Sequence, residues 1–82
     1  MKIRSNIALS ETGFVFNPST GESFTLNPSG MEIFDMLRQE TSKEDILKSF
    51  LEKYDIEHDL AEKDLEDFIH LLEIYQILET DE

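Results

Sequence analysis

The chain predicts a single α+β domain, a three-stranded antiparallel sheet followed by three helices. Three observations carry this. Up to Leu26 the chain reads as short strands, with loose two-residue alternation over residues 3–9, the apolar Phe14-Val15-Phe16, and clear alternation over residues 23–26. Asn27-Pro28 then marks a switch to helical spacing, which persists almost to the end. The length of 82 residues allows one small core, burying a little over ~60% of the unfolded surface.

The first strand is expected over residues 3–9, with Ile3, Ser5, Ile7 and Leu9 on one side. Ser10-Glu11-Thr12-Gly13 reads as a turn into the second strand, where Phe14 and Phe16 flank Val15. Asn17-Pro18-Ser19-Thr20-Gly21 supplies hairpin chemistry: Pro18 fixes φ and Gly21 tolerates a positive φ. The third strand covers residues 22–26, where Phe24 and Leu26 alternate with Ser23 and Thr25.

Asn27 is a good N-cap and Pro28 fits the first helical position, where its missing N–H costs nothing. This first helix extends to about residue 38 with Gly30, Ile33, Phe34 and Leu37 on one face. Gly30 is a poor helix former, so its place in the first turn implies close packing against the sheet. The second helix opens on the capping pattern Thr41-Ser42-Lys43-Glu44. Its apolar set, Ile46, Leu47, Phe50, Leu51 and Tyr54, has the spacing of one buried stripe. The third helix is expected over residues 59–75, with Ile77-Leu78 tucked back after it and residues 79–82 frayed.

On a helical wheel starting at Leu60, Phe68, Ala61, Leu72, Leu65 and Ile69 fill an arc from about 80° to about 180°. That arc is wide enough for core burial. Tyr75, Leu71, Leu60 and Ile74 extend the apolar surface the other way, with Asp64 and Asp67 among them. One small domain does not need to bury both arcs, so the second is expected to be an exposed, apolar and acid-studded surface.

The net charge is −12, and it is unevenly placed: residues 1–39 balance to −1 and residues 40–82 to −11. Such a field repels phosphate backbones and acidic membrane surfaces and favours basic partners. Lys43, Lys48 and Lys53 on the second helix are interleaved with Glu44, Asp45 and Glu52, so neither it nor the third helix makes a basic recognition helix for nucleic acid. The absence of cysteine leaves no disulfide framework and no thiolate zinc site. Met1-Lys2-Ile3-Arg4 leads into no apolar targeting segment, and no apolar run approaches ~18 residues, so a cytoplasmic protein without membrane attachment is expected.

No nucleophile is set beside a base and there is no glycine-rich phosphate loop, so no catalytic residue and no cofactor is assigned. Glu66, His70 and Glu73 share a helix face, but two carboxylates flanking a surface histidine read as a solvated charge pattern, and no metal site is assigned. An open sheet edge beside a surplus helical surface, with no reactive centre, points to binding.

The order of these pieces resembles a known family. A hydrophobic pair, Pro18-x-Thr20-Gly21, Leu26-Asn27-Pro28-x-Gly30, an acid-rich capped helix ending in Tyr54-Asp55, Asp64-Leu65-x-x-Phe68 and a terminal Ile77-Leu78 are similar to coenzyme PQQ synthesis protein D (PqqD) and its relatives. These are the peptide-recognition elements of pathways that modify ribosomally made peptides. The resemblance implies a winged-helix-like fold. It also implies a non-catalytic role: binding the leader of a precursor peptide by strand addition and presenting it to a modifying enzyme, often a radical-SAM protein. By resemblance, Glu22, Ser23, Phe24, Thr25 and Leu26 form the strand edge, and Asp64, Asp67, Phe68, Leu71 and Tyr75 the groove wall. Asp64 would meet either a basic leader residue or a basic side chain of the protein itself, with Lys2, Arg4 and Lys63 as candidates. The alternative is a small adaptor that docks on an enzyme, such as a kinase related to HPr kinase, without binding a peptide. Relatives usually carry Gly just before the final apolar pair. Gln76 stands there in this chain, so it either takes the left-handed conformation at a modest steric cost or the helix ends differently.

Overall fold

The computed structural model describes residues 1–79. Its elements are β1 (Lys2–Ile3), β2 (Ala8–Leu9), β3 (Phe14–Asn17), β4 (Glu22–Thr25), α1 (Pro28–Arg38), α2 (Lys43–Lys53), α3 (His58–Ile74) and β5 (Leu78–Glu79). Strands β2, β3 and β4 form an antiparallel sheet in that order, and β1 pairs with β5 in a separate antiparallel ribbon.

The single strand expected over residues 3–9 is therefore two strands in two sheets. The chain turns at Ser5-Asn6, with the Ile7 N–H donating to the Arg4 carbonyl at 3.3 Å, and the Asn6 amide reaches the Ser19 hydroxyl at 2.7 Å. Ser and Asn are turn formers, and the turn redirects the chain from β5 to β3. The end of the chain is corrected as well: Glu79, expected to fray, pairs with Lys2 in the ribbon, and residues 80–82 lie outside the described part.

The β3–β4 hairpin pairs Asn17 with Glu22 and Phe14 with Thr25. Val15, Asn17, Phe24 and Leu26 turn inward, while Phe14 and Phe16 lie exposed on the outer face. At the far end of the hairpin Gly13 has φ +90°, and a Cβ there would stand 2.7 Å from the Leu26 carbonyl oxygen. Only glycine fits that approach.

Helix α1 begins as predicted: the Asn27 side chain accepts the Gly30 N–H at 2.8 Å, and Pro28 is the first helical residue. Gly30 is buried against Leu26 and the Asn27 side chain, at the end of the sheet. The cap of α2 falls one residue later than the Thr41–Glu44 box, on Ser42, which accepts the Asp45 N–H at 3.1 Å. Both α1 and α3 end in the same device. After α1, the Glu40 N–H donates to Leu37 and the Thr41 N–H to Met36. After α3, the Gln76 N–H donates to Glu73 and the Ile77 N–H to Leu72. These are paired Schellman closures with the residue after the cap left-handed, Glu40 at φ 59° and Gln76 at φ 58°. Gln76 thus takes the left-handed geometry that a glycine would adopt freely, and the helix does not end differently.

The core joins Val15 and Leu26 of the sheet to Ile33, Phe34 and Leu37 of α1, Ile46 of α2, Leu65, Ile69 and Leu72 of α3, and Ile77 and Leu78 beyond it. Phe34, Leu37, Ile46, Leu72 and Ile77 are fully buried, each stabilising the fold by about 1.5–3 kcal/mol relative to exposure. Helix α2 departs from its expected buried stripe. Ile46 alone is fully buried, Leu47, Phe50 and Leu51 are half-buried, and Tyr54 is exposed. No helix among the described residues is long and apolar enough to cross a membrane.

Candidate functional site

The open side of β4 is the starting point. Leu26 donates its N–H to the Gly13 carbonyl at 2.8 Å, so Gly13–Leu26 is a hydrogen-bonded pair. Hydrogen-bonded and non-bonded pairs alternate along an antiparallel ladder. Glu22, Phe24 and Leu26 therefore aim their backbone groups at β3. Ser23 and Thr25 present theirs outward, on an edge that pairs with no other strand among the described residues.

Beside that edge a groove of about 650 Å³ opens between β4, the start of α1, α2 and α3. Its walls are mostly apolar: Phe24 and Leu26 from the sheet side, Leu47 and Phe50 from α2, Tyr54 at its C-terminal cap, Ile56 from the connection, and Leu65, Phe68, Leu71 and Tyr75 on the α3 side. The rings of Phe24 and Tyr75 meet with centroids 5.6 Å apart, joining strand and helix at one end of the groove.

Of the residues assigned from the sequence, Phe24, Thr25, Leu26, Asp64, Phe68, Leu71 and Tyr75 line this groove together. Glu22 and Ser23 stand on the edge strand but outside the groove lining. Asp67 is not brought in: it accepts the Lys63 ammonium at 3.0 Å, one turn back on the exposed side of α3. The wheel explains the split. Asp64, Leu71 and Tyr75 cluster between about 20° and 60° from Leu60, whereas Asp67 and Ile74 fall on the far side of zero. Leu60 and Ile74, 51% and 60% exposed, also remain outside. The second apolar arc is thus exposed as expected, and only its inner half belongs to the groove.

Helix α2 contributes a wall that the sequence reading assigned to the core. An amphipathic stripe does not distinguish burial in a core from burial along a cleft. A spatial tie holds this wall: Lys53 Nζ at 2.8 Å and Tyr54 Oη at 3.0 Å both donate to Glu32 Oε1 on α1. The Lys53 bond first, and the Tyr54 bond second, hold the Glu32 carboxyl below the ordinary glutamate range, and the same contacts raise Lys53 and Tyr54. The Phe50 and Tyr54 rings meet at a 50° tilt with centroids 5.0 Å apart, so the tie positions both.

A second missed residue is Asn17, 1% exposed and buried at the base of the hairpin. Its amide nitrogen donates to the Tyr75 and Gln76 carbonyls, both at 3.1 Å, and its oxygen accepts the Ser19 N–H at 2.9 Å. It fastens the β3–β4 hairpin to the C-terminal end of α3 and so sets the groove's width at the Phe24–Tyr75 end. His58, Asp59 and Glu62 sit close enough together at the start of α3 to touch one ion, yet they lie outside the groove lining.

A family model described as coenzyme PQQ synthesis protein D (PqqD) matches residues 12–78. No curated protein matches the chain. Two solved structures share its fold. TbiB1, solved in complex with the TbiA(beta) leader peptide, superposes with a TM-score of 0.91 at 25% identity, covering 100% of this chain and 99% of its own. A lasso peptide synthetase B1, complexed with its leader peptide, superposes with a TM-score of 0.83 at 22% identity over 93% of each chain. With the family pattern spanning both the edge strand and the groove helix, this chain belongs to the PqqD family.

Proposed function

We propose that this chain is a non-catalytic recognition element that binds the leader of a ribosomally made precursor peptide and presents it to a modifying enzyme. The single observation that carries this is the free β4 edge opening directly onto an apolar groove walled by α3. The outward N–H and C=O groups of Ser23 and Thr25 supply main-chain pairing to any extended peptide, at about 0.5–1.5 kcal/mol net per bond. The groove then selects among peptides through alternate side chains. TbiB1 and the lasso peptide synthetase B1, which share this fold, were each solved with a leader peptide, and that supports the same ligand class here. Residues 1–82 act in this reading as one domain, with Ser23, Phe24, Thr25, Leu26, Asp64, Phe68, Leu71 and Tyr75 as the contact set. Glu22 flanks the paired edge, and Asp67 sits beyond the groove.

The test is affinity capture of short peptides from the lysate of the chain's own cells, read by mass spectrometry, with Leu71→Glu as the control bait. Leu71 is 39% exposed on the groove wall, so the variant should fold. A short peptide retained by the chain and lost with the variant is the expected result. A protein partner captured equally by both baits, with no peptide, would replace this reading with an adaptor that docks on an enzyme.

A further inference from the structure

Among the described residues, the groove lining contains one charged side chain, Asp64, among apolar and neutral polar ones. Its neighbour Lys63 commits its ammonium to Asp67 at 3.0 Å and acts on Asp64 only through longer-range attraction. Lys2 forms part of the β1–β5 ribbon, and Arg4 lies 3.7 Å from Glu79 there. None of the three intramolecular candidates takes Asp64 as its bonded partner, so its carboxylate faces the groove with its acceptor sites available.

We infer that Asp64 selects peptides carrying a lysine or arginine at a fixed distance from the apolar residue that fills the Phe24–Tyr75 end of the groove. The inference rests on the peptide-binding reading above and names the ligand's chemistry. Asp64 precedes Tyr75 by eleven residues on α3. At ~1.5 Å per residue that places it about 16 Å along the groove. An extended peptide covers this span in about five residues at ~3.3 Å each. Side chains of one strand face the groove only at every second position, so an offset of five would point the charge away. The basic residue therefore stands four or six positions from the apolar one. Repulsion between an acidic peptide and a chain of net charge −12 works in the same direction but has no such register.

A random decapeptide display library selected on the full chain, on Asp64→Asn, on Asp64→Lys and on Glu52→Gln tests this. Glu52→Gln removes one charge from the exposed side of α2, outside the groove. With the native chain and Glu52→Gln, Lys or Arg should be enriched about tenfold or more at offsets of four or six from an apolar residue, the discrimination expected of a hydrogen bond to a charged group. Asp64→Asn should reduce that enrichment to background, and Asp64→Lys should convert it to Asp or Glu at the same offsets. Binders with the same apolar residues but no basic preference, or a preference weakened equally by Glu52→Gln, would overturn the inference and leave the peptide-binding reading in place. Selection of no binders above a Leu71→Glu control would overturn both.

Discussion

Asn17 and Tyr75, from opposite ends of the sequence, are joined by a 3.1 Å bond from the Asn17 side-chain amide to the Tyr75 carbonyl. A second bond of the same length runs to Gln76, and the Asn17 oxygen turns back to the Ser19 N–H. One buried side chain thus satisfies the exit of α3 and the entry of the hairpin turn together. Because Phe24 lies on that hairpin and Tyr75 closes α3, this joint decides how far apart the two sides of the groove stand.

Asn17→Ala should lower stability by about 1–3 kcal/mol, the cost of leaving buried polar groups without partners. Urea denaturation measures it, and peptide affinity should fall in the same variant. Asn17→Asp preserves shape but sets a carboxylate against two carbonyl oxygens. Burial and repulsion would raise that carboxyl's folded pKa above its unfolded value, so the variant's stability should recover as pH falls and protonation restores a donor.

The two left-handed positions make a stabilising pair. Gln76→Gly and Glu40→Gly each remove the steric cost of an L side chain at φ near 58°, partly offset by the greater unfolded-state entropy of glycine. Each should add up to about 1 kcal/mol, which for a domain of this size raises Tm by roughly 4–8 °C. Thermal unfolding followed by circular dichroism measures both.

Along α3, neighbouring leucines should behave oppositely. Leu65, 4% exposed, should cost about 2–5 kcal/mol on truncation to Ala, enough to threaten so small a domain. Leu60, 51% exposed and outside the groove, should change stability by no more than about 0.5 kcal/mol as Leu60→Ser and leave peptide affinity unaltered. Equal losses from the two substitutions would show that the helix is rotated from the orientation described above.

The tie at Glu32 gives a pH-dependent signature. Lys53 and Tyr54 depress its carboxyl, so the tie stabilises the fold above the ordinary carboxylate range and loses that contribution as pH falls through Glu32's own lower midpoint. Side-chain carboxyl NMR should find that midpoint below the usual glutamate value. Lys53→Met should shift it up further than Tyr54→Phe, following the order of the two contributions.

What was legible in the sequence is what local chemistry decides. The cap at Asn27, a helix start near residue 42, the buried face of α1 and the exposure of the third helix's second arc all depend on residues within a turn or two of each other. The break at Ser5-Asn6 did not show through the alternation, because a strand's identity depends on its partner and β1 pairs at the other end of the chain. Asn17 read as turn chemistry since the carbonyls it bonds lie 58 and 59 residues further on. Asp67 could have been separated from Asp64 beforehand: Lys63 stands four residues before it, the spacing of a helical ion pair. Tyr54 and Phe50 left no such signal, because the cleft they line exists only once three helices are assembled.

The β1–β5 ribbon has a mechanical consequence. Lys2 faces Glu79 and Ile3 faces Leu78, so a tension applied through residues 2 and 79 loads one rung at a time and peels the ribbon open instead of shearing it. Pulled in this way, the ribbon gives up the Lys2–Glu79 and Ile3–Leu78 pairs in turn, and then the Arg4 N–H bond to the Ile77 carbonyl. The load reaches the hairpin and the α3 joint only after those bonds have opened, so under tension between residues 2 and 79 the ribbon yields ahead of the groove.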